Sequence, residues 1–346
     1  MAIRRTLTAF AVASAATLTL VSVPAHADDT DVQSSSARTP ATVSVPVRSI
    51  NTPGHTGQNG LISVKVGNAP AFTVLVDTGS VGLRLWGRRP DVAKLTDEIK
   101  TEAAGGTKFT GPIALATVSI GGVSTVHPVP VQLVNTDNPY INVLRRRGVT
   151  GIIGLGTGTG TLTNPIMSFP GALGLRWSVH FERTVANSRQ RTGEIILGAE
   201  AAPDADMSFK LASEGVNEFG AHLWNDHQAA GCWTFGNRPT ACVPTRFDSG
   251  ATEIRVKGSE FKGLPTDTSG DLRTGTHVSF GSATSAFAAH HFVAGGQASR
   301  NQVKVLPHGS SAINTGNFIY YDYTVSYDTV TGVVTMSKSS TGKAAR

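Results

Sequence analysis

An Asp-Thr/Ser-Gly triplet occurs twice in the chain, at residues 77–79 (DTG) and at residues 248–250 (DSG). Apolar residues precede each copy, a short β-like segment follows it, and about half of the chain separates Asp77 from Asp248. A single triplet of this type is equally typical of an Asx turn, in which Asp and Gly suit the backbone. Two copies at this spacing indicate an internal repeat, in which each half of the molecule contributes one aspartate.

The residues that follow each aspartate would allow the two aspartate loops to pack against each other. Gly79 and Gly250 allow a close approach because glycine has no side chain. The hydroxyl groups of Thr78 and Ser249 can each bond to the backbone of the opposite loop. Such bonds would hold both carboxyl groups in one plane.

Two carboxylates about 3 Å apart do not both ionise readily, so they share one proton. The ionised carboxylate can take a proton from a water molecule that attacks a peptide carbonyl. The protonated carboxyl donates a hydrogen bond to that carbonyl and then helps to protonate the leaving amine. Asp77 and Asp248 are therefore the candidate catalytic pair, and this chemistry needs no metal or cofactor.

The two loops differ at the residue after the triplet. Ser80 can donate its hydroxyl to Asp77, whereas Ala251 has no side-chain donor for Asp248. A hydrogen bond to an ionised carboxyl lowers its pKa. We therefore expect Asp77 to be the ionised member of the pair and Asp248 the protonated one.

The surrounding sequence predicts an all-β fold. Its 38 glycines and 17 prolines separate short β-branched runs, which is typical of many short strands. Strands are predicted at residues 61–66, 72–76, 113–120, 129–134, 149–155, 178–181, 194–197, 318–327 and 333–337. Helical periodicity is scarce, and short helices are predicted at residues 91–103, 165–172 and 285–290.

Residues 1–27 have the features of a secretory signal peptide. A basic pair, Arg4 and Arg5, precedes an uncharged run, and Ala-His-Ala at residues 25–27 has the form of a cleavage site. A membrane anchor is the alternative, but the uncharged run is short for a span. Residues 28–42 are rich in Ser, Thr and Asp and predict a disordered leader. The protein is therefore expected to be secreted.

The remaining chain is predicted to form an N-terminal lobe, residues 43–200, and a C-terminal lobe, residues 201–346, with one aspartate loop in each. The net charge of +6 is mostly scattered, which predicts no nucleic-acid partner. The one basic triplet, at residues 145–147, is expected in a solvated loop. No second apolar run is long enough to span a membrane.

The chain has two cysteines, Cys232 and Cys242. In an exported protein an even number of cysteines favours a disulfide, and the intervening Gly236 and Asn237 favour a hairpin turn. Free thiols or a metal site are the alternatives, but the spacing lacks the pattern of a ligand set.

Other chemistries lack their sequence signals. The glycine-dense segment at residues 151–160 contains neither a dinucleotide fingerprint nor a Gly-Lys-Ser/Thr loop. No Gly-x-Ser-x-Gly elbow is present. The histidine pairs, 290–291 and 222 with 227, are not part of a His-Glu-x-x-His motif.

At these residues the chain resembles the pepsin-like (A1-type) aspartic peptidases, which have two β lobes around a deep cleft. Residues 74–83 (VLVDTGSVGL) and 247–252 (FDSGAT) resemble the two catalytic loops of that family. Residues 151–156 resemble the element behind the first loop, residues 193–198 the strand that closes the first lobe, and residues 316–328 the C-terminal strands. The resemblance implies a secreted, monomeric endopeptidase of bacterial type that binds a polypeptide in the cleft between its lobes.

The chain departs from the family pattern at three places. The tyrosine of the family's flap would fall near Ala104, where the nearest aromatic residue is Phe109. Arg84 occupies the position of the tryptophan that braces this tyrosine. Residues 314–316 (NTG) stand where two apolar residues and Gly are expected. These departures leave open an alternative function, a secreted binding or inhibitor-type protein with the same fold.

Overall fold

The structure is a computed structural model. It describes residues 41–339 except 52–57, 88–89, 91, 105–106, 136–137, 183–191, 201, 284–289 and 297–298. The predicted signal peptide at residues 1–27 lies outside the described residues, as does all but the end of the predicted leader at residues 28–42.

The described part of the chain consists mainly of strands. Those up to the middle of the chain are β1 (Val43–Pro46), β2 (Arg48–Asn51), β3 (Gln58–Val66), β4 (Phe72–Asp77), β5 (Val81–Leu85), β6 (Lys94–Ala104), β7 (Thr107–Ala116), β8 (Val118–Ile120), β9 (Val123–Ser124), β10 (Val129–Leu133), β11 (Gly151–Leu155), β12 (Arg176–Phe181) and β13 (Gly193–Leu197). The later ones are β14 (Met207–Lys210), β15 (Ala212–Val216), β16 (His222–Asn225), β17 (Ala229–Phe235), β18 (Ala241–Arg246), β19 (Ile254–Lys257), β20 (His277–Ser282), β21 (His290–Val293), β22 (Val303–Leu306), β23 (Ala312–Asn314), β24 (Tyr323–Asp328) and β25 (Val333–Lys338). The described helices are α1 (Pro139–Arg146) and the 3-10 helices Pro165–Ser168, Gly171–Gly174, Ser259–Phe261 and Phe318–Tyr321.

Strand β4, which ends at Asp77, lies inside a large sheet. The described strands of this sheet run in the order β6-β7-β10-β5-β11-β4-β3-β8-β9, with β2 paired to β3. Strand β11 lies between β4 and β5, parallel to the first and antiparallel to the second. Because β11 is buried along its whole length, its sequence is a continuous apolar and glycine run.

The strand that leads to Asp248 has the same surroundings in a second sheet, ordered β21-β20-β17-β18-β23-β19-β22. Strand β23 lies between β18 and β19, again parallel to the first and antiparallel to the second. Each aspartate loop therefore connects two strands that are held apart by a third. This repetition is the structural counterpart of the repeated triplet.

A third sheet joins the two halves of the chain, with the order β1-β13-β12-β24-β25-β14. Its central pair is β12 with β24, and in that pair Trp177 stacks on Tyr327 at 5.6 Å between ring centroids. The described residues belong to one compact unit, so the predicted lobe boundary between residues 200 and 201 stays a prediction. No helix in the described ranges is long and apolar enough to cross a membrane.

Most predicted strands are confirmed, and two of them are interrupted. The prediction at residues 113–120 covers the end of β7 and all of β8, and the prediction at residues 318–327 begins with a 3-10 helix before β24. The helix predicted at residues 165–172 is two 3-10 helices separated by Phe169 and Pro170. The prediction at residues 285–290 lies outside the described residues except for His290, which begins β21.

The helix predicted at residues 91–103 is wrong, because this segment forms strand β6 of a hairpin with β7. Its Leu95 and Ile99 have the four-residue spacing of a helix face, yet both side chains are exposed in the structure. Pairing with β7 decides the conformation here, and a hydroxyl–hydroxyl bond between Thr101 and Thr110 at 2.9 Å adds to it. Tertiary pairing thus overrides local periodicity.

The sequence analysis missed helix α1. Asn138 caps its first turn by accepting a hydrogen bond from the backbone N–H of Ile141 at 2.8 Å, and Pro139 occupies the first turn. The basic triplet at residues 145–147, expected in a loop, is the last turn of this helix and its C-cap. Asn-Pro at the start and arginines at the end were the available signals.

The predicted disulfide is confirmed. Cys232 and Cys242 are bonded, and they lie directly opposite each other in the hairpin of β17 and β18. The bridge therefore crosses the two strands just before the chain reaches Asp248.

We expect the double variant Cys232→Ser, Cys242→Ser to fold with a free energy of unfolding lower by about 2–3 kcal/mol, because a bridge that closes so short a loop restricts the unfolded chain by that amount. Urea unfolding of the parent and the variant measures the difference. The parent in excess reductant should then match the variant, and equal stability of the oxidised parent and the variant would contradict the prediction.

Candidate active site

The two aspartate loops lie against each other. The carboxyl groups of Asp77 and Asp248 are hydrogen-bonded to one another. A Cβ atom added at Gly79 would overlap the Cγ atom of Asp248, and one added at Gly250 would lie 2.6 Å from the Cγ atom of Asp77. Both positions must therefore be glycine, since any side chain would push the opposite carboxyl away.

Hydroxyl groups connect the two loops in a reciprocal pattern. The Oγ1 atom of Thr78 accepts from the backbone N–H of Ser249 at 2.9 Å and donates to the carbonyl of Phe247 at 2.9 Å. The Oγ atom of Ser249 accepts from the N–H of Thr78 at 3.0 Å and donates to the carbonyl of Val76 at 3.0 Å. Both hydroxyls are buried, so these four bonds fix the loops relative to each other.

A chain of tyrosine hydroxyls lies behind this connection. The hydroxyl of Tyr320 is 2.6 Å from the Oγ1 atom of Thr78, and the hydroxyl of Tyr327 is 2.7 Å from that of Tyr320. Because Thr78 already donates to Phe247, Tyr320 must be the donor to Thr78. The sequence analysis placed Tyr320 and Tyr327 in a predicted strand, and no sequence pattern indicated that Tyr320 contacts Thr78.

Asp77 receives local donors. Its Oδ1 atom accepts from the backbone N–H of Gly79 at 2.9 Å, and its Oδ2 atom accepts from the hydroxyl of Ser80 at 2.7 Å. The contact of Ser80 is the one that the sequence predicts.

Asp248 receives donors from its own loop and from β23. Its Oδ1 atom accepts from the N–H of Gly250 at 2.9 Å and from the N–H of Ala251 at 3.0 Å. Its Oδ2 atom accepts from the Nδ2 atom of Asn314 at 2.5 Å, and the Oδ1 atom of Asn314 accepts from the N–H of Gly316 at 2.8 Å, which fixes the orientation of the amide. Ala251 donates only its backbone N–H, as expected from the sequence, and the side-chain donor to Asp248 is Asn314, which the comparison of the two loops did not consider.

The two polar residues that depart from the family pattern thus have a shared role. Asn314 binds the carboxylate of Asp248, and the hydroxyl of Thr315 accepts from the backbone N–H of Asp248 at 3.3 Å. Sequence comparison of the two loops could not find this contact, because Asn314 lies far along the chain from Asp248.

Burial and the negative charge of Asp248 raise the pKa of Asp77 to about 7, against the lowering effect of the hydrogen bonds from Ser80 and Gly79. The proton that the pair shares is therefore favoured on Asp77. This is the reverse of the sequence-based expectation, which considered the hydrogen bond from Ser80 and not the burial.

The carboxyl pair faces a cleft with a volume of about 1020 Å³, lined by the triplet loops, the hairpin of β6 and β7, and helix α1. Ala104 ends β6, and residues 105–106, which follow it, lie outside the described residues. Phe109 is buried and stacks on Trp86 at 6.5 Å. Arg84 is also buried, and its guanidinium donates to the carbonyl of Val81 at 3.0 Å.

Helix α1 supplies a cleft tyrosine that the sequence analysis did not identify. Tyr140 lines the cleft with 39% of its surface exposed, and partial desolvation together with the charges of Asp77 and Asp248 raises the pKa of its hydroxyl. No group of three or more His, Cys, Asp or Glu side chains that could hold a metal ion occurs in the described ranges.

No protein-family model and no curated protein sequence matches the chain. Among solved structures, it is similar to the aspartic proteinase from Irpex lacteus, with a TM-score of 0.59, over 88% of this chain and 99% of that chain. The fold is that of a pepsin-like aspartic proteinase. The predicted two-lobed all-β fold is thereby confirmed. The identity between the two chains is 18%, a level at which the likeness shows the fold alone, so the roles of individual residues stay predictions.

The raised pKa of Asp77 predicts a pH dependence of stability. Between about pH 4 and pH 7 the folded state keeps a proton that the unfolded chain releases, so the free energy of unfolding falls as the pH rises through this range. In Asp77→Asn this contribution is absent, and we expect the free energy of unfolding to fall less over the same range. Urea unfolding at several pH values measures it, with the exposed Asp204→Asn as the control for loss of one carboxyl. Parallel curves for the parent and Asp77→Asn would contradict the assignment.

Proposed function

We propose that the protein is an aspartic endopeptidase in which Asp77 and Asp248 activate water for the hydrolysis of peptide bonds. The observation that carries this proposal is the carboxyl pair itself, two hydrogen-bonded side chains with different sets of donors at the base of a large cleft. The fold is compatible with the proposal but does not decide it, because one fold can host several functions.

The donors assign the two roles. Asp248, whose carboxylate accepts three N–H hydrogen bonds, is the general base that takes a proton from the water molecule. Asp77, with its raised pKa, is the acid that donates to the oxygen of the scissile carbonyl. The water oxygen bonds to the carbonyl carbon, and the resulting tetrahedral intermediate collapses when the amine nitrogen receives the proton held by Asp248. The C–N bond then breaks, a hydroxyl group of the intermediate returns its proton to Asp77 as the carboxylic acid product forms, and the pair is again left with one shared proton.

We further propose that the protein is secreted and acts as a monomer on polypeptides. Secretion is supported by the signal-peptide features of residues 1–27 and by the disulfide, since disulfides persist in oxidising compartments. A cleft of this volume suits several residues of an extended peptide.

A binding protein with the same fold is the second candidate. It is favoured by the burial of Phe109 and by Arg84 in the position of the family's bracing tryptophan. Such a protein would bind peptides in the cleft without depending on a proton shared between the aspartates.

We expect Asp77→Asn and Asp248→Asn each to reduce peptide hydrolysis by about 10²–10⁴-fold or more, because one carboxyl must act as base while the other acts as acid. The assay is cleavage of an unfolded protein at acid pH, with and without pepstatin, followed by kcat/KM on one peptide. Asp204→Asn is the matched control and keeps the parent's activity. Clear activity in either Asp variant would refute the pair, and an inactive parent over many peptides and pH values would favour the binding protein.

The hydrogen-bond donors to the two aspartates also predict how the profile of kcat/KM against pH changes when Asn314 or Ser80 is replaced. Asn314→Leu removes a donor to ionised Asp248, so the acid limb of kcat/KM should move to higher pH. Ser80→Ala removes a donor that favours ionised Asp77, so the alkaline limb should move to higher pH. The measurement is kcat/KM against pH on one peptide. If both variants move the same limb, or neither limb moves, the assignment of acid and base is wrong.

A further inference from the structure

Arginines are the most numerous charged side chains in the lining of the cleft. Among the described residues that line it, four are arginines, namely Arg84, Arg147, Arg246 and Arg255, whereas the only carboxyl groups are those of the aspartate pair. Since that pair shares a proton, it contributes one negative charge when ready to react. The described lining of the cleft therefore carries more cationic than anionic side chains.

Two of these arginines flank the amide that holds Asp248. In the sheet register, Arg246 of β18 pairs with Asn314 of β23, and Asn314 pairs in turn with Arg255 of β19. Neighbouring residues across a sheet share a face, and all three line the cleft. The two arginines thus lie on either side of Asn314, the residue whose amide binds Asp248.

The two arginines differ in their partners. Arg255 is paired with Glu253 at 2.8 Å from Nε to Oε1. Half-buried Arg246 has no carboxylate within the 4.0 Å of an ion pair in the described part of the chain. Its partner there is the Nδ1 atom of His227, at 2.8 Å.

His227 orients Arg246 without neutralising it. Burial and the charge of Arg246 lower the pKa of His227 to about 4, so above that pH the ring is neutral and its Nδ1 atom accepts from the guanidinium. The Nε2 atom of His227 is 3.6 Å from the Oδ1 atom of buried Asp226. The other oxygen of Asp226 accepts from the backbone N–H of Thr157 at 2.6 Å. A series of side chains, in which Asp226 is buried and His227 is partly exposed, therefore holds a cation at the cleft surface.

We propose that Arg246 binds an acidic side chain of the substrate close to the scissile bond, so that the cleft selects acidic peptides. A guanidinium pairs well with a carboxylate because its N–H groups match both oxygens. Arg246 precedes Asp248 by two residues, which in a strand span about 6–7 Å. An extended substrate also spans about 6–7 Å over two residues. Arg246 can therefore reach a substrate side chain no more than two residues before or after the scissile bond. This inference rests on the proposed peptidase function.

The test begins with cleavage positions, mapped by mass spectrometry in a peptide mixture. Matched peptides then carry Glu or Gln at each of the two positions on either side of the scissile bond, and kcat/KM is measured at pH 6 and low salt. At one position we expect Glu to be preferred by about 10- to 100-fold, as for a hydrogen bond to a charged group. In Arg246→Gln this ratio should fall to about one, whereas Arg255→Gln, whose arginine is already paired, should keep it.

A binding measurement separates this proposal from the proposed function. Labelled Glu and Gln peptides are titrated into Asp77→Asn, with and without Arg246→Gln, and Kd is read by fluorescence anisotropy. If the parent hydrolyses the peptides but the Glu-to-Gln ratios of kcat/KM and of Kd are both near one, the acidic preference is wrong and the peptidase function is retained. A preference in Kd that Arg246→Gln removes, with no hydrolysis by the parent, supports the acidic site and overturns the peptidase. Loss of the ratio with Arg255→Gln alone, or no peptide binding at all, overturns the assignment of Arg246.

Discussion

Two carboxyl groups in hydrogen-bond contact repel each other as soon as both ionise, and the rest of the site depends on holding them together. At a separation of about 3 Å the repulsion exceeds 1 kcal/mol even in water and is larger in a partly buried cleft. Four bonds of Thr78 and Ser249 oppose this force by tying the loops together. Gly79 and Gly250 are required for the same reason, since a side chain at either would separate the pair.

Asp77 and Asp248 belong to similar sequence triplets, but the two carboxyl groups have different surroundings. Asp77 has one side-chain donor from its own loop, whereas Asp248 has a donor from β23, a strand outside its loop. The amide of Asn314 is a permanent donor that cannot deprotonate, so it favours the charged form of its partner at every pH. Burial acts on Asp77 in the opposite direction. The division into acid and base therefore arises from neighbours and not from the triplets.

The same strand geometry connects catalysis with recognition. Strand β23 brings Asn314 to Asp248, and its register with β18 sets Arg246 beside that contact. Helix α1 and the hairpin of β6 and β7 form other parts of the cleft wall, and they supply Tyr140 and Thr107. A change in the position of β23 would thus alter both the base and the cation that we propose to bind substrate.

The sequence by itself determined the features that are local or repeated. The two aspartate loops, the all-β fold and the disulfide of a short hairpin each depend on residues close together in the chain, where spacing reports geometry. Only the tertiary structure decided the conformation of β6. Its sequence has a helical pattern, but pairing with β7 makes it a strand. The tertiary structure also decided the contacts of Asn314 with Asp248 and of Tyr320 with Thr78, which join distant segments. No local pattern encodes such contacts, because they exist only once the strands have paired and the loops are buried.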